Sequence, residues 1–288
     1  MYPWIDYGGR FSPLRAAVFA ALFLPFLYTA VLFPLGWLGA RPVTEAIHNM
    51  GFWTIRLIFI ALAVTPMREI LGWRRLIEVR RMVGVAACIY ILIHFTMYIA
   101  DEAWDLATVA SEIVLRIYLT IGFAALLGLC TLAVTSTDGW VRRLGRRWQK
   151  LHYFIYLIAF LALIHFFIQS KADVWEPTWM AGLYLWLMGW RVLDRWTKHG
   201  QTMPLWRLTA LGLAAGVLTA VGEAIYWWWL RGIPIMRVLD SNFATGLGAR
   251  PSWIVLGAGL AAVLLAAARR VIPSPSPARN RASAARGA

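Results

Sequence analysis

The chain has 288 residues, of which 60% are hydrophobic and only 15% are charged, and its mean hydropathy is +0.63. A soluble domain of this length does not have such a profile, so the composition predicts that most of the chain lies in lipid. The net charge of +14 does not indicate nucleic-acid binding, because the arginines form short blocks between apolar runs and do not cover one soluble face.

Eight apolar runs are long enough to cross or nearly cross a bilayer. They cover residues 16–38, 50–66, 82–100, 113–135, 149–168, 178–196, 205–229 and 252–271. The first run is too long for a signal peptide and contains Pro25 and Pro34, so we predict that it is a retained span. The pattern predicts an all-α integral membrane protein.

The loops between these runs alternate in charge. Basic loops follow the second, fourth and sixth runs and contain Arg68, Arg74, Arg75, Arg80 and Arg81, then Arg142, Arg143, Arg146, Arg147 and Lys150, then Arg191, Arg195, Lys198 and Arg207. Acidic residues mark the other loops: Glu45, Asp101, Glu102, Asp105, Glu112, Asp173 and Glu176. Cations accumulate in the cytoplasmic loops of membrane proteins, so residues 1–15 and the tail 272–288 are predicted to be cytoplasmic. The Pro-, Ser-, Ala- and Arg-rich tail is also predicted to be disordered and to lie near anionic lipid.

Two of the five histidines lie at matched depth on neighbouring spans. His94 and His165 fall on the third and fifth runs, which point in the same direction, and both lie near the acidic surface. Two imidazoles facing each other from adjacent helices are the usual axial ligands of a b-type haem in a helical bundle. The aromatic residues predicted to line the slot are Tyr90, Phe95, Tyr98, Phe166 and Phe167. The alternative is that the histidines only form hydrogen bonds between helices, as in a transporter or a structural membrane protein.

The remaining candidates are less specific. His152 precedes His165 by 13 residues, which places it near the opposite surface and roughly 140° away around an ideal helix. Arg56 lies within the second run, where it either extends towards the interface or pairs with a haem propionate. His48 is predicted to be interfacial and His199 to be solvated.

The chain resembles the MsrQ (YedZ) family over residues 16–196. The segments that carry the resemblance are LGARPVTEAIHNMG, AVTPMRE, VRRMVGVAACIYILIHFTMY, LAVTSTDGWVRRLGRRWQKLHYFIYLIAFLALIHF and QSK. This family belongs to the ferric-reductase-like transmembrane superfamily. The resemblance implies a six-helix haem-binding bundle over 16–196, and residues 197–271 would add a C-terminal extension with two further transmembrane helices.

The resemblance also implies a function. The chain would be an inner-membrane cytochrome b that takes electrons from the quinone pool or from a cytoplasmic flavin reductase. It would pass them to MsrP, a periplasmic molybdopterin enzyme that reduces methionine sulfoxide in oxidised proteins. FMN is also associated with the family. In this family His94 and His165 match the outer axial pair, and His152 matches the inner histidine of the fifth helix.

The sequence departs from the superfamily at Arg80, because members with two haems have a histidine at that position. His152 therefore has four interpretations: ligand of a second haem with an unidentified partner, contact of a quinone, contact of a flavin, or a ligand that alternates with His94 and His165. Arg80, Arg81 and Arg147 are predicted to offer cations to a quinone headgroup or a flavin phosphate at this surface. A ferric or quinone reductase-type cytochrome b with another acceptor is the alternative redox function.

Overall fold

The computed structural model describes residues 2–6, 8–171, 173–197, 201–244, 246 and 248–271. In these residues the regular structure is helical, and the only extended pairing is one antiparallel bridge between Ile5 and Phe11. Seven segments of the described chain are long and apolar enough to cross a membrane. The prediction of an all-α, multi-pass membrane protein is therefore confirmed. The predicted disordered tail 272–288 and His199 lie outside the described residues.

The helices of the described part are numbered in chain order. They are α1 (Pro13–Ala21), α2 (Leu24–Leu32), α3 (Pro42–Leu71), α4 (Ile77–Asp101), α5 (Leu106–Leu115), α6 (Ile117–Val134), α7 (Asp138–Leu144), α8 (Arg146–His152), α9 (Phe154–Gln169), α10 (Trp175–Arg195), α11 (Leu205–Arg231), α12 (Ile235–Ser241) and α13 (Pro251–Val271).

The sixth predicted run forms α10, which is not among the seven apolar segments. Its 21 residues would extend about 31 Å, which is long enough to cross the hydrocarbon core of a bilayer. The helix is, however, less apolar than the seven segments. It packs against α3, α9, α11 and α13, and its buried face includes Met180, Trp186 and Trp190. This helix therefore lies between the first part of the bundle and the C-terminal helices.

The first predicted span is shorter than expected and is broken between α1 and α2. Pro25 stands in the first turn of α2, and the Tyr90 hydroxyl of α4 occupies the break. That hydroxyl donates to the carbonyl of Leu22 at 2.7 Å and accepts from the backbone N–H of Phe26 at 3.1 Å. Since residues 22 and 26 would bond to each other in a continuous helix, the phenol replaces the missing helical bond.

The second span, in contrast, continues past Pro66, where the sequence predicts its end. A proline has no backbone N–H, so the carbonyl of Leu62 loses its helical donor. The Arg191 guanidinium of α10 donates to that carbonyl at 2.6 Å and to the Tyr156 hydroxyl of α9 at 3.2 Å. Because a neighbouring helix supplies the donor, α3 remains helical as far as Leu71.

The bundle has two chemically different ends. The arginine-rich end consists of the α3–α4 turn and the α6–α9 connection, residues 68–81 and 138–150, which Arg81 and Asp138 join through an ion pair at 2.6 Å. The acidic end consists of residues 101–112 and 173–176. Both α4 and α9 begin at the arginine-rich end, so the predicted parallel orientation of the two histidine-bearing helices is correct.

The C-terminal helices pack closely on one another and on α10. Gly212 of α11 meets Gly259 of α13 so closely that a Cβ on Gly259 would lie 2.7 Å from the Gly212 Cα. Glu223 is buried in α11, and Arg250 at the start of α13 pairs with it at 2.5 Å. At the arginine-rich end, Arg269 donates to the Glu69 carbonyl at the end of α3. The extension is thereby attached to the first part of the bundle.

Candidate functional site

His94 and His165 line one cavity of about 190 Å³ between α3, α4, α6 and α9, towards the acidic end. The structure thus brings together the two histidines that the sequence placed at matched depth. The aromatic side chains around the cavity are Phe52, Phe95, Tyr98, Tyr118, Phe123 and Phe166. Two imidazoles in an apolar, aromatic slot are an arrangement suited to a flat, hydrophobic cofactor.

Each imidazole is held by a backbone carbonyl of the neighbouring helix. His94 Nδ1 lies 2.8 Å from the carbonyl oxygen of Ile47 on α3, and His165 Nδ1 lies 2.8 Å from that of Tyr118 on α6. A carbonyl oxygen only accepts, so Nδ1 carries the proton in both rings. Each Nε2 then has a free lone pair, and neither Nε2 has a hydrogen-bond partner among the described residues. Anchoring of this kind fixes the tautomer and the orientation of a metal-binding histidine.

A glycine stands one helical turn beyond each of these carbonyls. Gly51 follows Ile47 by four residues, and Gly122 follows Tyr118 by four residues. A Cβ at Gly51 would lie 3.1 Å from His94 Nδ1, and a Cβ at Gly122 would lie 2.7 Å from His165 Nδ1. The bare helix surface at these positions is therefore needed for the close approach of each ring. The sequence alone does not single out these two glycines, although each lies four residues after the residue whose carbonyl accepts from the histidine.

The predicted aromatic lining is partly wrong. Phe95, Tyr98 and Phe166 line the cavity, but Tyr90 and Phe167 do not. The Tyr90 hydroxyl forms its hydrogen bonds at the α1–α2 break and not at the cavity. Phe167 packs on the ring of Tyr226, with a centroid distance of 5.9 Å. Helical spacing alone could not exclude Tyr90 and Phe167 from the cavity. Their contacts are with residues of α2 and α11, which are distant from them in the sequence.

His48 lies at the cavity as well, although the sequence suggested only an interfacial position. Its ring is half-buried and close to Phe52, with 6.2 Å between the centroids. Gln169 Nε2 lies 3.5 Å from His48 Nε2, which is the outer limit of a hydrogen bond. His48 and Gln169 thus close the cavity towards the acidic end.

His152 does not line this cavity, in agreement with its predicted position on another side of the helix. Its Nδ1 contacts the carbonyl of Trp148 at 3.1 Å, and its Nε2 contacts the Ser136 hydroxyl at 3.2 Å. The ring also stacks on the Trp148 indole at a centroid distance of 3.8 Å. Both ring nitrogens therefore have protein partners, and a ligand role for His152 requires the Ser136 contact to be exchanged.

Arg56 is engaged by a carboxylate. Its Nε donates to Glu176 of α10 at 3.0 Å, and its guanidinium lies 5.1 Å from the centroid of the Trp53 ring. Arg56 does not line the histidine cavity. A cation at this depth needs a compensating charge, and Glu176 provides it from the start of α10. Contact of Arg56 with a haem propionate stays a prediction.

The three arginines predicted to form a second cofactor contact have different surroundings. Arg81 pairs with Asp138, and this guanidinium holds the pKa of the exposed Asp138 carboxyl below its usual range. Arg80 is half-buried on α4, whereas Arg147 is exposed on α8. Contact of Arg80, Arg81 and Arg147 with a quinone headgroup or a flavin phosphate stays a prediction.

The donor set fits an axially bound haem. No group of three or more histidine, cysteine, aspartate or glutamate side chains arranged for a metal ion occurs in the described part of the chain. A porphyrin supplies four nitrogen ligands to its iron, so two imidazoles complete the coordination. His94 and His165 would supply these two imidazoles, because neither Nε2 has a hydrogen-bond partner among the described residues and both rings line the aromatic cavity.

Comparison with known proteins agrees with this geometry. A family model described as "Ferric reductase like transmembrane component" matches residues 46–163, which include His94 and His152. The protein-methionine-sulfoxide reductase heme-binding subunit MsrQ of Xanthomonas campestris pv. campestris (strain 8004) is 43% identical over 192 residues, covering 61% of this chain and 88% of the relative. This chain belongs to the MsrQ family. The resemblance seen in the sequence motifs is therefore confirmed.

Other MsrQ relatives show similar agreement. The protein of Xanthomonas axonopodis pv. citri (strain 306) is 45% identical over 162 residues, covering 56% of this chain and 73% of the relative. That of Rhodospirillum rubrum is 42% identical over 171 residues, covering 59% of this chain and 82% of the relative. Both carry the name heme-binding subunit. No solved structure matches the chain.

Proposed function

We propose that this chain binds a b-type haem between His94 and His165 and carries electrons across the bacterial inner membrane to a methionine sulfoxide reductase. The observation that carries the proposal is the pair of imidazoles, each anchored through Nδ1 and each lining the same aromatic cavity. The names of the MsrQ relatives support haem as the ligand.

The bound haem supplies reversible one-electron transfer at its iron. The protein contributes the two Nε2 ligands and the carbonyl bonds that fix their direction. The aromatic side chains of the cavity exclude water and lower the local polarity, which tunes the potential of the site. His48 and Gln169 close the side of the cavity that faces the acidic end.

The charge of the two ends supports an orientation of the chain in the membrane. The arginine-rich end faces the cytoplasm, as do both termini, and the acidic end faces the periplasm. The histidine cavity then lies on the periplasmic side, close to a soluble acceptor. This acceptor is the molybdopterin subunit MsrP, which reduces methionine sulfoxide in periplasmic proteins. The electron donor is the quinone pool or a cytoplasmic flavin reductase. A second cofactor, haem or FMN, would contact His152 and Arg80, which both belong to the part of the chain at the arginine-rich end.

Absorbance spectra of the purified protein test the haem site. Oxidised and dithionite-reduced spectra should show a b-type haem, and His94→Ala or His165→Ala should remove most of it, because one imidazole alone leaves the iron without its second protein ligand. His152→Ala should retain at least part of the haem. His48→Ala is the comparison within the cavity: His48 lines it without being anchored through Nδ1 to a carbonyl, so this variant should lose much less haem than either axial variant.

Equal and complete loss of haem in the His94, His152 and His165 variants would contradict the assignment of one axial pair. The acceptor is tested separately by mixing the reduced protein with MsrP of the same organism, which should reoxidise the haem. Reoxidation by ferric citrate but not by MsrP would favour a ferric reductase of the same fold.

A further inference from the structure

His48 and Gln169 face each other on the side of the histidine cavity that points to the acidic end. His48 precedes Gly51 on α3 by three residues, and Gln169 follows His165 on α9 by four residues. Because α3 begins and α9 ends at the acidic end, His48 and Gln169 lie about one helical turn nearer that end than Gly51 and His165. We call His48 and Gln169 the polar edge of the cavity.

The side chains of the polar edge have hydrogen-bonding capacity that the protein does not use. The contact of 3.5 Å between Gln169 Nε2 and His48 Nε2 is at the outer limit of a hydrogen bond. It is the one hydrogen bond of these two side chains within the described part of the chain. An amide group has two N–H donors and an imidazole has at least one, and both side chains are half-buried, where unused donors are costly. The polar edge therefore has donors available for an acceptor in the cavity.

The other polar side chains of the lining are already engaged or enclosed. The Thr54 hydroxyl donates to the carbonyl of Met50 at 2.9 Å, and the Tyr118 hydroxyl accepts from Arg116 Nη1 at 3.4 Å. The Tyr98 hydroxyl is enclosed by protein atoms, so a ligand does not reach it. Apart from the two anchored imidazoles, the free donors of the lining are therefore those of the polar edge.

The acceptors that haem brings into such a cavity are its two propionate carboxylates, which lie on one edge of an otherwise apolar macrocycle. None of the described residues that line the cavity is an arginine or a lysine. Arg56 does not line it and pairs with Glu176. A carboxylate at the polar edge would instead accept from the Gln169 amide and from the His48 ring, and hydrogen bonds to an ionised acceptor are the stronger ones.

We propose that the polar edge binds a propionate carboxylate of the haem held by His94 and His165. This inference rests on the proposed function, because it requires haem in the cavity. His48 and Gln169 each donate through Nε2 to the carboxylate, which replaces the weak contact between them. Since both propionates belong to one edge of the porphyrin, that edge points to the acidic end. His48 and Gln169 are thus positioning residues, and His48 is not a ligand of the iron.

Resonance Raman spectra of the purified, haem-loaded protein test this contact, because the propionate bending mode moves to higher frequency when the carboxylate accepts a hydrogen bond. His48→Phe keeps an aromatic ring beside Phe52 but removes both nitrogens, and Gln169→Leu removes the amide at similar volume. Both variants should retain most of the haem and shift the mode to lower frequency. Gln149→Leu is the control, since Gln149 of α8 contacts Tyr153 and does not line the cavity, and its mode should equal that of the wild type.

The outcomes separate this inference from the proposed function. An unchanged propionate mode in either His48→Phe or Gln169→Leu would overturn the inference and leave the haem site of His94 and His165 in place. Loss of haem in His48→Phe as complete as in His94→Ala would also overturn it, because His48 would then bind the iron and not the carboxylate. A wild-type protein without a b-type spectrum would contradict the proposed function itself, and the inference with it.

Discussion

At the scale of single residues, the histidine site depends on two glycines as much as on the two imidazoles. In both halves of the site a histidine donates to the carbonyl of one helical residue and packs on the glycine four residues further along that helix. The same arrangement of an accepting carbonyl and a glycine occurs twice, on α3 for His94 and on α6 for His165. A side chain at either glycine would move the ring that the carbonyl orients.

Gly122→Ala should therefore lower haem content and change the low-spin spectrum of the bound haem. The new methyl group would lie 2.7 Å from His165 Nδ1, and such overpacking typically costs about 1–3 kcal/mol. Gly51→Ala should have a smaller effect, because its contact with His94 is 3.1 Å. Gly84→Ala serves as the control in open space. The haem-to-protein ratio and the Soret band measure the effect, and a wild-type spectrum in Gly122→Ala would show that the close approach is unnecessary.

At the scale of helices, polar groups inside the bundle join elements that the sequence separates widely. Arg191 connects α10 to α3 and α9, Tyr90 connects α4 to the α1–α2 break, and Arg250 connects α13 to α11. In lipid each of these groups must find its partner within the protein. They therefore determine which helices are neighbours and where the helices are broken or continuous.

The Glu223–Arg250 pair gives a testable consequence for the C-terminal helices. The side chains are 5% and 18% exposed, so Arg250→Ala would leave a buried carboxylate without its cation. Breaking such a pair typically lowers the free energy of unfolding by about 3–5 kcal/mol. We therefore expect a lower unfolding temperature for Arg250→Ala, measured by tryptophan fluorescence. The double variant Glu223→Gln/Arg250→Gln should have a smaller decrease in unfolding temperature, because no uncompensated charge remains.

The exposed Arg231 at the end of α11 is the control for that experiment, and Arg231→Ala should leave the unfolding temperature unchanged. An unfolding temperature for Arg250→Ala equal to that of Arg231→Ala would mean that the ion pair does not hold α13 in place.

At the scale of the whole molecule, the two ends differ in charge and predict the orientation in the membrane. Cys88 and Cys130 are free, so replacing both by alanine gives a background for labelling single cysteines. In this background Ser111→Cys, exposed on α5 at the acidic end, should react with a membrane-impermeant maleimide in intact cells. Arg143→Cys, exposed on α7 at the arginine-rich end, should react only after permeabilisation. The reverse pattern would place the histidine cavity on the cytoplasmic side.

Much of this architecture could be predicted from the sequence, because it depends on local composition. Long apolar runs require helices in lipid, and the position of His94 and His165 along their runs determines their depth. The charge of the loops likewise divides the chain into a basic and an acidic side. These properties follow from each segment alone, whatever its neighbours.

Only the tertiary structure decided which groups meet. Arg56 pairs with Glu176, which lies 120 residues away, and Arg191 satisfies the Leu62 carbonyl from 129 residues away. The orientation of His94 and His165 depends on carbonyls and glycines of other helices, which contact the two rings only after the helices have packed together. The physical reason is that the hydrophobic pattern sets the length and depth of a helix, whereas its rotation and neighbours depend on packing and on the pairing of polar groups between helices.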